Sequence, residues 1–131
     1  MIKNLMIIDD DEDDREIFSS ILEELYPHMS LSVAANGQAG LQQLLSGPVS
    51  PDIIFLDLNM PVMGGKQFME EIRKDSKLRE IPVAVLTTSS DVRAIAEMRA
   101  LGASHFFTKP DRYRDWKEML HTFFINRNNR E

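Results

Sequence analysis

Residues 53–61 read Ile53-Ile54-Phe55-Leu56-Asp57-Leu58-Asn59-Met60-Pro61. Four apolar residues in unbroken succession, rather than alternating with polar ones, are the pattern of a strand covered on both faces, the habit of parallel sheets. The acid that ends the run then stands at the strand's carboxyl end. Moving outward, similar short runs occur at Leu5–Ile8, Leu31–Ala34, Val83–Leu86 and His105–Thr108, the second and the last being the weaker pair. Between them the apolar spacing changes to the helical period. Five strands alternating with five helices predict an α/β domain in which a parallel sheet is covered on both faces, and right-handed crossovers make it doubly wound.

The helices have local start and stop signals. Ile17, Phe18, Ile21, Leu22, Leu25 and Tyr26 share one face of a first helix that begins among Asp11–Asp14 and closes before Pro27. A short second helix runs from about Gln38 to Leu45, between Asn36-Gly37 and Gly47-Pro48. A third spans about Lys66 to Lys74, with Phe68, Met69 and Ile72 inward. Asp91 is the expected N-cap of a fourth that turns Val92, Ile95 and Met98 inward and ends at Gly102. The fifth puts Tyr113, Trp116, Met119, Leu120, Phe123 and Phe124 on one face. The expected domain covers 1–126, and 127–131 form a polar tail.

The chain has 131 residues with a net charge of −6, and that charge is concentrated. Residues 1–14 hold six acids, Asp9 to Asp14, against Lys3, whereas the other 117 residues hold 15 acids and 14 bases. No basic stripe is present, which argues against nucleic acid as the direct partner. The absence of cysteine removes disulfides, thiolate metal sites and a cysteine nucleophile. The apolar stretch Leu5–Ile8 is too short for a signal-peptide core, and no longer run occurs elsewhere, so neither export nor membrane insertion is expected and the cytoplasm is the expected location.

Ligands of such sheets sit at the carboxyl ends of the strands. The residues there are Asp9-Asp10-Asp11, Asp57-Leu58-Asn59, Thr87-Thr88-Ser89 and Lys109-Pro110. Carboxylates gathered at one sheet edge repel each other and call for protons or a cation. Oxygen ligands without nearby His or Cys select Mg²⁺, with Mn²⁺ or Ca²⁺ as alternatives, rather than zinc. Magnesium held by carboxylates suits phosphoryl chemistry, in which a carboxylate can itself be the nucleophile. Lys109 would supply positive charge, and the Thr87 hydroxyl a hydrogen bond, to phosphoryl oxygens.

Ile7-Ile8-Asp9-Asp10, Ile54 to Pro61 with Gly64-Gly65, Leu86-Thr87-Thr88 and Phe106-Phe107-Thr108-Lys109-Pro110, in this order, resemble the receiver domains of two-component response regulators, particularly the stand-alone chemotaxis type. The resemblance runs from about Lys3 to Phe124. It implies a flavodoxin-like sheet of order 2-1-3-4-5. It also implies that Asp57 accepts a phosphoryl group from a histidine kinase or histidine phosphotransfer protein, and that the acyl phosphate is slowly lost again. Asp10 would ligate Mg²⁺, Asp9 would support the metal directly or through water, and Asn59 would offer its backbone carbonyl. Thr87 and Lys109 would contact the phosphoryl group, Phe106 would be the switch aromatic, and the bond before Pro110 would be cis. The output would be a protein bound at the face of helix 4, strand 5 and helix 5, or onward phosphotransfer, without an output domain in the chain. Three positions depart from the usual pattern: Thr88 is bulkier than its counterparts, Asp111 is polar, and Phe106 lacks a hydroxyl.

Competing expectations exist for the same residues. Asp11 to Asp14 read as a solvated helix start. The Asp9, Asp11, Asp13 spacing imitates a calcium-binding loop, but Asp14 and Ser20 occupy its glycine and glutamate positions. Asp9-Asp10-Asp11 superficially matches the Asp-x-Asp of haloacid-dehalogenase-type phosphatases, with Asp9 as nucleophile, although Asp13 stands where Thr or Val is wanted. A phosphorylation-independent interaction module is the third reading. His28, His105 and His121 lack ligand spacing and are expected to be structural.

Overall fold

In the computed structural model, which describes residues 2–47, 50–88 and 91–128, β3 (Ile53–Asp57) is buried along its whole length at the centre of a five-stranded sheet. Its neighbours are β1 (Asn4–Ile8) and β4 (Val83–Thr87), and the edges are β2 (Ser30–Ala34) and β5 (His105–Thr108). The order is β2-β1-β3-β4-β5 and every pairing is parallel. The continuous apolar runs are the central three strands, and the two weaker ones are the edges, where one flank lacks a neighbour.

Because side chains alternate along a strand, each strand contributes to two separate cores. Leu5, Ile7, Ile53, Phe55, Ala84 and Leu86 face α1 (Glu12–Leu25) and α5 (Tyr113–Asn128). Met6, Ile8, Ile54, Leu56, Val83 and Val85 face α2 (Gly37–Ser46), α3 (Gly65–Arg73) and α4 (Val92–Ala100). On the first side Phe55 is the aromatic hub, with its ring centroid 4.9 Å from Phe18 and 5.7 Å from Phe123. Burial of these large rings supplies much of the folding free energy, each contributing about 1.5–3 kcal/mol.

Side chains cap the helix starts, at Asp91 as expected and also at Asp11 and Asn36, for which only a nearby helix start was expected. Asp11 accepts from the N–H groups of Asp13 and Asp14, Asn36 from Ala39, and Asp91 from Arg93 and Ala94. Gly102, at φ +101°, follows α4. Arg73 ties α3 to this turn by donating from Nε to Leu101 O at 2.6 Å, and another of its nitrogens donates to Arg79 O beside the 3-10 turn Leu78–Glu80.

Some expectations need correction. Val92 does not face inward: it is 79% exposed at the first turn of α4, while Met98 is buried and Ile95 half-buried. Helical periodicity identifies a face but not how far along the helix the neighbouring surface extends. Tyr113, at the start of α5, is 43% exposed, unlike the buried Trp116, Leu120 and Phe124. Arg127 and Asn128, assigned to the polar tail, continue α5, and 129–131 lie outside the described residues, as do Pro48 and Ser89.

Candidate functional site

The sheet register brings the acids together. Ile8 pairs with Leu56, so one step further along the strands Asp9 comes beside Asp57, and the Asp9 N–H continues the ladder by donating to Ala34 O at 3.0 Å. Asp9 is in phase with Leu5 and Ile7, and Asp57 with Ile53 and Phe55, which puts both carboxylates on the α1/α5 side. Lys109, just past β5, is in phase with Phe107 on that side, and its N–H donates to Thr87 O at 3.0 Å. Asp10 and Asn59 are exposed in the loops after β1 and β3.

Asp9, Asp10 and Asp57 each present a carboxylate oxygen within 4.8 Å of the others, the one such metal-capable group among the described residues. None of the three histidines belongs to it, and His121 Nδ1 lies 3.0 Å from the Tyr26 hydroxyl. Asp9 is 0% exposed and Asp57 6%. Lys109 Nζ lies 2.8 Å from Asp9 Oδ2 and 3.5 Å from Asp57 Oδ1. Asp9 Oδ1 accepts the Asp11 N–H at 3.0 Å, and the Arg15 guanidinium donates to Asp9 O at 2.7 Å.

Burial makes these charges expensive. Asp57 is pushed up to about 7, first by burial and then by the negative charge of Asp9, against the pull of Lys109. Asp9 is also raised by burial, an effect only partly offset by Lys109 and the Asp11 N–H. Lys109 moves the other way: burial alone would lower it, but Asp9, Asp14 and Asp57 together hold the ammonium above the usual lysine range. Two like charges about 4 Å apart repel by about 4 kcal/mol at an effective dielectric near 20. One ammonium does not neutralise such a group.

The donor set fits a hard divalent cation. It is all oxygen, it carries excess negative charge, and Asp9 Oδ2 is a buried oxygen without a well-formed hydrogen bond. The Lys109 ammonium is close enough to pair with that oxygen but approaches off the direction a hydrogen bond needs.

Thr87 and Phe106 belong to the opposite face of the sheet. Thr87, the buried last residue of β4, is in phase with Val83 and Val85, and Phe106 is directly across from Val85. They are diagonal neighbours on adjacent strands, within reach of one another's side chains. The Arg99 guanidinium of α4 stands 4.6 Å over the Phe106 ring. Thr88 is exposed beyond Thr87.

The Lys109–Pro110 bond and Asp14 both depart from expectation. There is no cis peptide bond among the described residues, so the Lys109–Pro110 bond is trans. Trans remains the favoured X-Pro isomer by about 0.5–1 kcal/mol, and here the Lys109 N–H contact to Thr87 O and the side chain's ion pairs orient the lysine. Asp14 is not merely part of a solvated helix start, for its Oδ2 lies 2.9 Å from Lys109 Nζ. The signal was present in the helical period: Asp14 is one turn before Phe18, and Phe18, Ile21 and Leu22 form the buried face of α1.

The comparisons agree with this geometry. Residues 5–121 match the family model described as response regulator receiver domain. The chain is 36% identical over 108 residues to the sensor histidine kinase CheAY of Helicobacter pylori, covering 81% of this chain and 13% of that protein. It spans between 13% and 49% of the length of the first curated relatives it matches. Among solved structures, chemotaxis response regulator CheY4 of Vibrio cholerae superposes with a TM-score of 0.78 at 26% identity, over 93% of this chain and 98% of that one. The Mn²⁺-bound form of response regulator Rcp1 superposes with a TM-score of 0.81 at 26% identity, over 89% and 88%. With the fold, the strand-end acids and the family match in agreement, the chain belongs to the response regulator receiver domain family.

Proposed function

We propose that Asp57 is the phosphoacceptor of this receiver domain, taking a phosphoryl group from a phosphohistidine on a histidine kinase or a histidine phosphotransfer protein. One observation carries the reading: Asp57 ends the central strand between the Asp9/Asp10 pair and Lys109, with Lys109 Nζ 3.5 Å from Oδ1. In the transfer, an Asp57 oxygen forms a bond to phosphorus as the bond from phosphorus to the donor's imidazole nitrogen breaks. The freed imidazole then takes up a proton from water.

Asp9, Asp10 and Asp57, with the backbone carbonyl of Asn59, would hold Mg²⁺, or Mn²⁺ in its place. Such an ion supplies charge neutralisation for the acids and for phosphoryl oxygens. Lys109 provides a fixed positive charge for those oxygens, and the Thr87 hydroxyl provides a hydrogen bond to them. Thr87 and Phe106, diagonal neighbours on one face, would move together and alter the surface made by α4, β5 and α5. Next to that surface a cleft of about 490 Å³ opens between β5 and α5, lined by apolar groups of Phe107, Met119 and Phe123 among polar ones. A downstream protein would dock there, or the phosphoryl group would pass onward. The family's role is signalling, and slow hydrolysis of its own acyl phosphate is the turnover expected of the domain, which we place at 1–128 so that it includes the whole of α5. No helix among the described residues is long and apolar enough to cross a membrane, and a cytoplasmic location suits a kinase partner.

The phosphatase alternative requires Asp9 to attack. Its complete burial and its contacts to Lys109 and the Asp11 N–H disfavour that role. Incubation with acetyl phosphate and Mg²⁺, followed by mass spectrometry, tests the assignment. A hydroxylamine-sensitive acyl phosphate is expected on Asp57 and is expected to vanish in Asp57→Asn. Labelling that persists in the variant, or that maps to Asp9, would refute it.

A further inference from the structure

Four of the six acids that follow β1, Asp9, Asp11, Asp13 and Asp14, form a relay of placements. Asp9 Oδ1 accepts the Asp11 N–H at 3.0 Å, and Asp11 Oδ1 accepts the N–H groups of Asp13 at 2.9 Å and Asp14 at 3.3 Å. These bonds fix the first turn of α1 against the end of the strand. Asp14 is thereby directed inward, and its Oδ2 meets Lys109 Nζ at 2.9 Å, with the Asp14 side chain 17% exposed and that of Lys109 8%.

The lysine is consequently shared. Its two close carboxylate partners are Asp9 at 2.8 Å and Asp14 at 2.9 Å, whereas Asp57 is further away at 3.5 Å. We propose that Asp14 is a positioning residue of the site: it holds the Lys109 ammonium back from Asp57 in the resting state and competes for it with a phosphoryl group on Asp57. The inference deepens the phosphoacceptor reading and rests on it.

Its sign follows from the charges. A phosphoryl group on Asp57 brings anionic oxygens toward Lys109. Asp14 opposes that in two ways, by retaining the ammonium and by adding negative charge nearby. Removing Asp14 does not leave Lys109 unanchored, because Asp9 remains within 2.8 Å. Neutralising Asp14 is therefore expected to favour the phosphorylated state, not to weaken it.

The test is the affinity for beryllofluoride, a phosphoryl mimic, at saturating Mg²⁺, followed by ¹⁹F NMR and calorimetry. Saturating metal keeps any change in cation affinity out of the comparison. Asp14→Asn is expected to bind about fivefold more tightly than wild type, the equivalent of about 1 kcal/mol for a mostly shielded ion pair. Its acyl phosphate is expected to last longer by a similar factor. Asp14→Glu keeps the charge and should return both values to within twofold of wild type, which a purely structural role for Asp14 would not require. If Asp14→Asn does not fold, Asp14→Ser takes its place. Unchanged or weaker binding in the neutral variant would overturn the inference while leaving the phosphoacceptor reading standing. Failure of the wild type to bind beryllofluoride, or equal binding by Asp57→Asn, would overturn that reading and the inference with it.

Discussion

Replacing Asp57 with asparagine should stabilise the metal-free protein, even though it removes the residue on which the proposed function depends. Asp57 is raised to about 7, mainly by burial and by Asp9, whereas an unfolded aspartate titrates near 3.8. The folded state thus binds this proton more tightly than the unfolded one. The associated stability is fully present below the unfolded value and is lost as pH rises through the folded value. A shift of about three units corresponds to at most about 4 kcal/mol. The site lies at the open end of the sheet, where water and side-chain relaxation reduce the penalty, so about 2 kcal/mol is the expected gain for Asp57→Asn at pH 8 in EDTA. For a chain of this length that is a rise of about 8 °C in Tm. At about pH 3.5, below the unfolded value, Asp57 is protonated in the folded protein and mostly so in the unfolded chain, and the two proteins should differ by less than about 0.5 kcal/mol, the ordinary scatter of a neutral substitution. Millimolar Mg²⁺ at pH 8 should reverse the order, since a ligand that binds only the folded state adds stability to the protein that retains the intact carboxylate group. Urea denaturation at the two pH values, with and without metal, measures all three differences. A variant less stable than wild type at pH 8 without metal, or a difference that does not change with pH, would refute the charge argument.

Two further outcomes concern the loop between β3 and α3. Val62 is the only described non-glycine residue at positive φ, at +69°, and its side chain is 71% exposed, so little packing offsets the strain. Val62→Asn should stabilise the protein by about 1 kcal/mol in chemical denaturation, and a loss of stability would mean that the valine makes contacts of its own. At Gly37 a Cβ would stand 2.6 Å from the backbone oxygen of Met63, the same oxygen that accepts the Gly37 N–H at 3.0 Å. Gly37→Ala should therefore cost about 2 kcal/mol and, by displacing the loop that carries Asn59, weaken Mg²⁺ binding measured by calorimetry.

The residues show which expectations were readable and why. The strands were found to within one residue at each end, because Ile53–Leu56 and Val83–Leu86 are continuous apolar runs bounded by polar residues. The cap Asp91 was readable from local chemistry, since a side-chain oxygen at that position has only nearby N–H groups to bind, whereas Asp11 and Asn36 were placed near helix starts and only the structure showed that they cap them. Val92 was misread because its exposure depends on where the sheet ends, which is not a local property. The role of Asp14 was missed for a related reason: acids in a first helical turn suit the helix dipole wherever they occur, and only packing against the strand ends distinguishes Asp14 from Glu12 and Asp13.

The amino-acid sequence by itself determined the layered α/β architecture, the strand ends at which chemistry could occur and the oxygen-rich character of the site. Those properties follow from periodicity and residue type, which act over a few positions. The tertiary structure alone decided which of the clustered acids converge and which lysine contacts are short, and it set the Lys109–Pro110 bond trans. It also placed Asp9, Asp57 and Lys109 on one face of the sheet and Thr87 and Phe106 on the other. Register between strands distant in sequence, and the angle at which α1 meets the sheet, are properties of the assembled cores. A single charged side chain turns from solvent to site when they shift by one residue.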